Sequence, residues 1–346
     1  MATELVDSVA TRDAVVVVDE LSVAFPSRSG SGEVVRCVSF SVKAGQRVGL
    51  VGESGSGKSL TARAIMQLIP EPGRISGGRI LVGDDLVLAT RASARRWRGT
   101  TVAMITQDPL SSLNPLVRVG AQITEMLRYH RHLSRADARQ RAMELLNGVG
   151  LPNSKRTMRQ FPSALSGGMR QRVALAIAIS CNPRLLIADE PTTALDVTIQ
   201  AQVLDLLERM SAENNSAVLL ISHDLGVVAN FCDEIMVMYA GRIVETGPTE
   251  RLLEHPLHPY TTALLTSVPS MTEALPERLL SITGSPPVGG VDVVGCPFAP
   301  RCPLAQPLCS EVEPPLRTLD DPARRVACHA AGNKEWPTAR QAVGVS

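Results

Sequence analysis

The chain is poor in aromatic residues, in net charge and in long apolar runs, and each of these shortages narrows the range of functions that it can have. Aromatic residues make up only 3% of the 346 residues, and the formal net charge at pH 7 is +1. Nucleic-acid-binding proteins rely on basic surfaces and on rings that stack with bases, so this composition argues against a nucleic-acid partner. Apolar runs approaching the roughly 20 residues that span a bilayer are also missing. The sequence therefore predicts a soluble protein that reaches a membrane only through a partner.

The first residues give no sign of a secretory leader. The stretch 1–11 contains Glu4 and Asp7 and no basic segment before an apolar one, as a signal peptide would require. The chain length favours two domains over one.

A glycine-rich octapeptide is the first motif that points to chemistry. It reads GESGSGKS over residues 52–59, follows the apolar run 48–51 and precedes a helix predicted over 60–68. Strand, loop and helix in this order are the setting of a P-loop, in which backbone amides converge on phosphate at a helix N-terminus. Lys58 would reach the β- and γ-phosphates, and the Ser59 hydroxyl would bind Mg²⁺. The predicted nucleotide contacts of this segment are Gly52, Ser54, Gly55, Gly57, Lys58, Ser59 and Leu60.

A second phosphate-seeking motif follows about a hundred residues later. It reads LSGGMRQR over residues 165–172 and stands at the start of a helix predicted over 171–179. Ser166, Gly167 and Gly168 can present a hydroxyl and bare amides to an anion at this helix N-terminus.

Acidic residues come directly after a predicted buried strand. The continuous apolar run 185–188 is typical of a parallel strand buried on both faces, and it ends in Asp189 and Glu190. Ligands of open α/β sheets gather at the carboxyl ends of the strands. Asp189 suits the Mg²⁺ shell, and Glu190 could polarise an attacking water. Another apolar run, 218–221, ends in Ser222 and His223.

This ordered set of motifs resembles the nucleotide-binding subunit of ABC transporters, over roughly residues 15–250. The resemblance implies an α/β fold with a P-loop NTPase (RecA-like) ABC ATPase core and an inserted helical subdomain at about 108–165. The expected domains are an ATPase domain over 12–252 and a C-terminal extension over 253–346. In this family the LSGGMRQR-type signature of one subunit completes the ATP site of the other, so that two subunits enclose two nucleotides.

The resemblance also implies individual roles. Gln107 matches the glutamine that touches Mg²⁺ and the attacking water, so that Ser59, Gln107 and Asp189 would surround Mg²⁺. Phe25 lies about where the family places an aromatic ring that stacks on adenine, although a half-buried strand residue is the alternative. Asp196 would bridge the two ATP sites. The residues expected to carry catalysis are Glu190 as general base, His223 at the γ-phosphate, Gln107 and Lys58.

The inserted segment is predicted to be helical. Ser134 can cap a helix with Asp137 as the reciprocal acid. Apolar residues then recur at helical spacing before Gly150 stops the run, at Ala138, Ala142, Leu145, Leu146 and Val149. Some fifty residues leave no room for the long coiled coil or zinc module that DNA-repair relatives carry here.

Several motifs indicate a branch of the family. The segments HPLHPYTTALL at 255–265, LNP at 113–115 and TALDVT at 193–198 resemble the dipeptide/oligopeptide and nickel permeases. The branch implies ATP-driven import of dipeptides or oligopeptides. It also implies a second ABC ATPase subunit, expected to be a paralogue, two transmembrane permease subunits and an extracytoplasmic solute-binding protein. The chain would then lie peripherally at the cytoplasmic face of the plasma membrane.

Four cysteines occur in the tail, at Cys296, Cys302, Cys309 and Cys328. Residues 266–346 are rich in proline and are expected to bury little core, so a staple is expected. Disulfides are disfavoured because ATP and reduced thiols share the cytoplasm. Zinc is the alternative, but closely paired cysteines are missing; the wider spacing suits a [4Fe–4S] cluster, which some members of this branch carry in the same region. The other cysteines, Cys37, Cys181 and Cys232, are predicted to be small apolar core residues.

Other functions remain open at this point. The same family imports nickel and other small solutes with similar ATP-binding subunits. A nucleic-acid-associated ABC ATPase is disfavoured by the short insertion and the neutral charge. A third possibility is a regulatory module in which metal sensing by the cysteines is primary.

Overall fold

The computed structural model describes most of the chain, namely residues 13–27, 30–83, 85–86, 97–108, 112–151, 153–191, 197–267, 284–287 and 294–332. These residues form two compact units, each assembled from separate stretches of sequence. The first unit comprises the described residues of Met1–Val17, Ser41–Gln46 and Ile80–Ile221. The second comprises those of Val18–Phe40, Arg47–Arg79 and Ser222–Ser346.

The described secondary structure mixes strands and helices along the whole chain. The strands are β1 (Ala14–Ser27), β2 (Gly30–Lys43), β3 (Arg47–Val51), β4 (Arg74–Val82), β5 (Asp85–Leu86), β6 (Val102–Ile105), β7 (Leu185–Asp189), β8 (Ala217–Ser222), β9 (Glu234–Tyr239), β10 (Arg242–Pro248), β11 (Arg317–Thr318) and β12 (Arg325–Val326). The helices are α1 (Lys58–Ile65), α2 (Val119–Arg131), α3 (Arg135–Gly148), α4 (Ser154–Thr157), α5 (Gly167–Ile179), α6 (Val197–Asn214), α7 (Leu225–Phe231), α8 (Thr249–Glu254), α9 (Pro259–Thr266) and α10 (Pro307–Glu311).

Parallel strands form the core of the first unit. Strand β6 pairs with β7, and β7 pairs with β8, both in parallel register. Every residue of β7 and β8 is buried, because helices cover both faces of a parallel sheet. The continuous apolar runs that predicted these two strands are confirmed.

The helices after β6 begin where the sequence supplies caps. Ser134 accepts a hydrogen bond from the backbone N–H of Asp137 at 3.2 Å and donates its own hydroxyl to the Asp137 carboxylate at 2.7 Å. Helix α3 then buries the predicted apolar face and ends just before Gly150, whose φ of +74° suits glycine. The predicted helix and its cap are confirmed.

The second unit combines a parallel pair with a hairpin. Strand β3 runs parallel to β9, and β9 turns into the antiparallel β10. The turn residues Ala240 and Gly241 both have positive φ, +46° and +84°, which is the geometry of a tight two-residue hairpin.

The described part of the tail contributes more core than its composition predicts. Strand β12 pairs with β10, and β11 pairs with β12, so the tail extends the sheet of this unit. Phe298 is 1% exposed and Val326 is fully buried. The expectation of little burial overlooked that a few tail side chains can complete a core that other elements begin.

Two residues on the first strands have positive φ. Strand β1 is continuous and passes through Glu20 at a φ of +50°. Cys37 is exposed on β2 at a φ of +47° and is not a core residue, whereas Cys181 and Cys232 are buried as predicted. The strands β1, β2, β4 and β5 form a sheet in the order β2-β1-β4-β5.

Within the described residues, helices long and apolar enough to cross a membrane do not occur.

Candidate functional site

The phosphate loop of the second unit depends on glycine geometry. The loop connects the buried strand β3 to helix α1 and has positive φ at Gly52, Gly55 and Gly57, of +154°, +82° and +105°. A Cβ atom at Gly52 would lie 2.1 Å from the backbone oxygen of Met238. Only glycine fits at that point, because β9 passes directly beside the loop.

The ammonium of Lys58 and the N-terminus of helix α1 together give this loop a positive electrostatic potential. The ammonium of Lys58 donates hydrogen bonds to the backbone oxygens of Gly52 and Glu53, at 2.7 and 2.9 Å. Gly57 is the N-cap of α1 and offers no capping side chain. The first amides of α1 therefore combine with the helix dipole and the Lys58 charge to favour an anion such as phosphate.

The remaining loop residues and two flanking side chains occupy different settings. Ser54 and Gly55 are exposed, whereas Ser59 and Leu60 are partly buried. Phe25 is half-buried, and its ring packs over Gly73, where a Cβ atom would lie 2.4 Å from the ring. His223 is exposed directly after β8, beside Asp224, which caps α7 by accepting from the N–H of Gly226 at 2.8 Å.

The acidic residues predicted for Mg²⁺ binding and catalysis lie in the first unit. Asp189 ends β7 and is 2% exposed. Glu190 has a φ of +48°, and its N–H donates to the backbone oxygen of Ile221 at 2.9 Å. The side-chain amide of Gln107 donates to the Glu190 carboxylate at 2.8 Å. The structure thus brings together two residues that are 83 positions apart and that the sequence placed in one reaction.

The LSGGMRQR motif spans the beginning of α5, also in the first unit. Ser166 caps this helix by accepting from the N–H of Met169 at 3.3 Å. Ser166 and Gly167 are exposed, and Gly168 is partly buried. A Cβ atom at Gly167 would meet nothing within 4 Å. The helix begins earlier than predicted, because the serine cap allows the glycines to form its first turn.

The predicted site residues therefore fall into three groups. The second unit contains Phe25, Gly52, Ser54, Gly55, Gly57, Lys58, Ser59, Leu60 and His223. The first unit contains Gln107, Ser166, Gly167, Gly168, Asp189 and Glu190. Asp196 lies outside the described residues.

The tail cysteines interact with one another, but they do not form a metal site as they stand. Burial raises the pKa of Cys296 and Cys328 and raises that of Cys302 to about 12, with a smaller contribution from the charge of the neighbouring thiols, Cys309 among them. Each of the four also receives backbone hydrogen bonds; the N–H of Gln306, for instance, donates to the Cys309 sulfur at 3.5 Å. Among the described residues, groups of three or more His, Cys, Asp or Glu placed to hold a metal ion are absent. The predicted cluster is thus not seen.

Sequence reasoning missed the side chains that hold the phosphate loop from behind. The Tyr260 hydroxyl accepts from the N–H of Glu53 at 2.8 Å, and Arg301 pairs with the Glu53 carboxylate. Tyr260 belongs to the HPLHPYTTALL segment, which was used only to indicate the branch. Because that segment stands far from the loop in sequence, nothing in its pattern could reveal this contact.

Comparison with protein families gives two matches on different parts of the chain. Residues 35–193 match the family described as ABC transporter, and residues 244–309 match the one described as oligopeptide/dipeptide transporter, C-terminal region. The second match covers the HPLHPYTTALL segment and three of the four tail cysteines.

Proteins that are named for peptide transport align with most of the chain. The oligopeptide transport ATP-binding protein OppD of Escherichia coli K12 is 45% identical over 316 residues, which are 91% of this chain and 93% of that protein. The dipeptide transport ATP-binding protein DppD of the same organism is 47% identical over 313 residues, or 90% and 95% of the two chains. The oligopeptide transport ATP-binding protein AppD of Bacillus subtilis 168 is 49% identical over 293 residues, or 84% and 89%.

Solved structures support the same fold. The dimeric structure of the ATP-binding cassette MJ0796 in a post-hydrolysis state, bound to ADP and Pi, has a TM-score of 0.62 and 25% identity. The similarity extends over 68% of this chain and 98% of the MJ0796 chain.

Proposed function

Because the chain belongs to the ATP-binding subunits of ABC-type peptide transporters, we propose that it hydrolyses ATP to power the import of oligopeptides or dipeptides through a multi-subunit permease. The observation that carries this proposal is the similarity to peptide-transport ATPases through both the cassette and the C-terminal region. The alternatives of nickel import and nucleic-acid association are not favoured, since these relatives are named for peptide transport.

Binding of ATP follows from the loop geometry. Lys58 and the amides of Gly55, Gly57 and Ser59 would hold the phosphates, because they combine a charge with an uncapped helix N-terminus. Phe25, whose half-buried ring packs over Gly73, would stack on adenine.

The residues assigned to Mg²⁺ suit a hard cation. The Ser59 hydroxyl, the Gln107 amide oxygen and the Asp189 carboxylate are all oxygen donors, as Mg²⁺ prefers. The buried position of Asp189 at the end of β7 supports this assignment. Mg²⁺ would neutralise charge on the transferred phosphoryl group.

Hydrolysis would depend on the pair Gln107 and Glu190. Glu190 is the proposed general base, and the hydrogen bond from Gln107 fixes the direction of its carboxylate. His223 would hold the γ-phosphate in position. Phosphoryl transfer needs little covalent chemistry from the protein, so such positioning accounts for most of the catalysis.

A second ATPase subunit would complete the site. Gly167 supports this proposal, because it stands in a helix at an exposed position where a side chain would meet open space. Glycine lowers helix stability relative to alanine, and the described part of the first unit offers no packing reason for it. We therefore assign Ser166, Gly167 and Gly168 to the close approach of a nucleotide bound by a companion subunit, with Asp196 bridging the two sites.

Partners and location follow from this assignment. We propose an ATPase domain over 12–252 with a helical subdomain at about 108–165, and an extension over 253–346. The companions would be a paralogous ATPase, two transmembrane permease subunits and an extracytoplasmic solute-binding protein, with this chain on the cytoplasmic face of the plasma membrane.

The tail cysteines Cys296, Cys302, Cys309 and Cys328 remain candidates for a [4Fe–4S] cluster, with zinc as the alternative. One observation supports this proposal: backbone N–H groups bond to their sulfurs, as the N–H of Gln306 does to Cys309. Hydrogen bonds of this kind are among the features that tune iron–sulfur clusters. Their side chains would have to rearrange to bind the cluster, since they do not form a metal site now. Absorbance and metal analysis of anaerobically purified protein distinguish iron, zinc and neither.

The transport proposal is tested by deleting the gene in the native host and restoring it with wild type or with Lys58→Met. Wild type should restore uptake of a labelled peptide, whereas Lys58→Met should not, although it should still copurify with the permease subunits. Normal peptide uptake in the deletion strain would contradict the proposal.

A further inference from the structure

Glu53 connects the phosphate loop to the C-terminal extension through its carboxylate as well as through its backbone N–H. Glu53 stands between Gly52 and Ser54 in the loop. Its carboxylate accepts two hydrogen bonds from the Arg301 guanidinium, at 2.7 and 2.9 Å. The Nη1 atom donates to Oε2 and the Nη2 atom donates to Oε1, which is the two-pronged geometry of strong arginine–carboxylate pairs.

Burial makes this pair sensitive to the loss of either member. The Arg301 side chain is 4% exposed, and that of Glu53 is 24% exposed. Arg301 also donates to the Tyr239 hydroxyl at 3.2 Å, and its guanidinium lies 5.8 Å from the centre of the Tyr239 ring. Removal of Glu53 would leave the buried guanidinium charge of Arg301 without its carboxylate partner.

The same carboxylate-bearing residue touches the phosphate-binding groups. The backbone oxygen of Glu53 accepts from the Lys58 ammonium at 2.9 Å and from the N–H of Ser56 at 3.2 Å. Its N–H donates to the Tyr260 hydroxyl. A shift of Glu53 would therefore move one of the two backbone oxygens that hold the Lys58 ammonium, the other being that of Gly52.

At its other end, the pair reaches the cysteine segment. Arg301 ends a short 3-10 helix, Ala299–Arg301, that lies between Cys296 and Cys302. Backbone hydrogen bonds join Ala299 to Cys296 and Cys302 to Ala299, at 2.9 and 3.2 Å. Any rearrangement of the cysteines consequently acts on the backbone that carries Arg301.

We propose that Arg301 is a positioning residue that sets the geometry of the phosphate loop through Glu53, and that it thereby couples nucleotide binding to the conformation of the segment 296–302. The proposal rests on the proposed ATP-binding function. Coupling of this kind is reciprocal: if the segment influences ATP affinity, bound ATP must influence the segment to the same extent.

The test uses the full chain and the variants Glu53→Gln, Arg301→Met and the double variant. MgATP affinity is measured by titration, and amide hydrogen exchange of residues 296–305 is measured with and without MgATP. Arg251→Met serves as the matched control, because it removes an arginine from another ion pair of the same unit, with Asp321 at 2.6 Å. Arg301→Lys keeps the charge but loses the two-pronged geometry. It provides a second test of Arg301 in case Arg301→Met does not fold.

Wild type should bind MgATP and show slower exchange at 296–305 when it does. Each single variant should bind MgATP about tenfold more weakly and lose this protection, and the double variant should be no weaker than either single variant. Arg301→Lys should fall between wild type and Arg301→Met, and the control should match wild type.

Two results would contradict the proposal in different ways. If wild type binds MgATP while Arg301→Met and Arg301→Lys keep its affinity and its exchange protection, Arg301 has no positioning role and the coupling is absent. If wild type itself does not bind MgATP, the proposed ATPase function fails, and this inference fails with it.

Discussion

At the scale of single residues, Glu190 is central to the proposed hydrolysis. Its backbone takes a φ of +48°, in a region that residues other than glycine rarely occupy, and its carboxylate accepts from Gln107. Strained backbone of this kind often occurs at functional positions. Both observations agree with a Glu190 carboxylate that is held in a fixed orientation for catalysis.

Replacement of Glu190 by glutamine separates binding from hydrolysis. Glu190→Gln should keep ATP affinity and lower the hydrolysis rate by about 10²–10⁴-fold, the range typical for loss of a general base. It should also accumulate a closed pair of subunits, visible by size-exclusion chromatography with ATP. Glu213→Gln, the same change on an exposed residue of α6, is the control. Undiminished hydrolysis in Glu190→Gln would remove this residue from its role.

His258 gives a prediction on pH. Burial lowers its pKa from 6.5 to about 3, so the folded protein keeps it neutral while the unfolded chain takes up a proton. Its contribution to stability is complete only well above pH 6.5 and is lost as the pH falls toward about 3, by about 1.5 kcal/mol between pH 6.5 and about pH 5.

Urea denaturation at several pH values checks this effect. His258→Asn keeps an acceptor for the N–H of Tyr260, which His258 now receives on Nδ1 at 3.0 Å, but it cannot titrate. The variant should therefore lose less stability than wild type over that pH range. Equal pH dependence of the two proteins would show that His258 does not act in this way.

At the scale of elements, the start of α5 separates helix stability from function. An alanine at Gly167 would meet open space, so Gly167→Ala should raise the free energy of unfolding by roughly 0.4–1 kcal/mol. It should nevertheless lower ATP hydrolysis in the presence of the companion subunit, because the added methyl group obstructs its approach.

Gly148→Ala is the matched control for this prediction. Gly148 ends α3 of the same unit and also has nothing within 4 Å of an added Cβ atom. It should gain similar stability without any change in ATP hydrolysis. If both alanine variants hydrolyse ATP as fast as wild type, the proposed approach at Gly167 is wrong.

The aromatic cluster behind the phosphate loop is the second element with a testable role. The ring centroid of Phe298 lies 5.3 Å from that of Tyr239 and 5.4 Å from that of Tyr260. Phe298→Ala should lower the free energy of unfolding by about 3–5 kcal/mol, because it leaves a cavity in this cluster. Leu308→Ala, at a side chain that is 45% exposed, should change it by less than about 0.5 kcal/mol. If both variants lost a similar amount of unfolding free energy, the aromatic cluster would contribute no more to stability than an exposed side chain does.

These elements also show what sequence can and cannot predict. The phosphate loop, β7 and the cap at Ser134 follow from local patterns, since glycine spacing, apolar runs and a capping serine act over a few residues. The pair of Glu53 and Arg301 joins residues 248 positions apart, and its formation depends on how the tail packs. Nothing local at either residue distinguishes it from an exposed charge.

At the scale of the whole molecule, the described part of the proline-rich tail is held to the rest of the second unit by charge as well as by Phe298. Glu313 pairs with Arg36 at 2.8 Å and also with Arg242. Glu245, fully buried, accepts from Arg324 at 2.9 Å and from the N–H of His258. Burial raises the pKa of Glu245, and these hydrogen bonds oppose the rise. The extension is thereby part of the unit that contains the phosphate loop.

The most direct test of the whole account is peptide uptake by proteoliposomes that contain this chain, its companion ATPase and the two permease subunits, supplied with peptide-loaded binding protein. ATP should drive accumulation of labelled peptide, peptide should stimulate ATP hydrolysis, and Glu190→Gln should abolish both. A correctly assembled complex that hydrolyses ATP without moving peptide, or moves peptide without ATP, would contradict it.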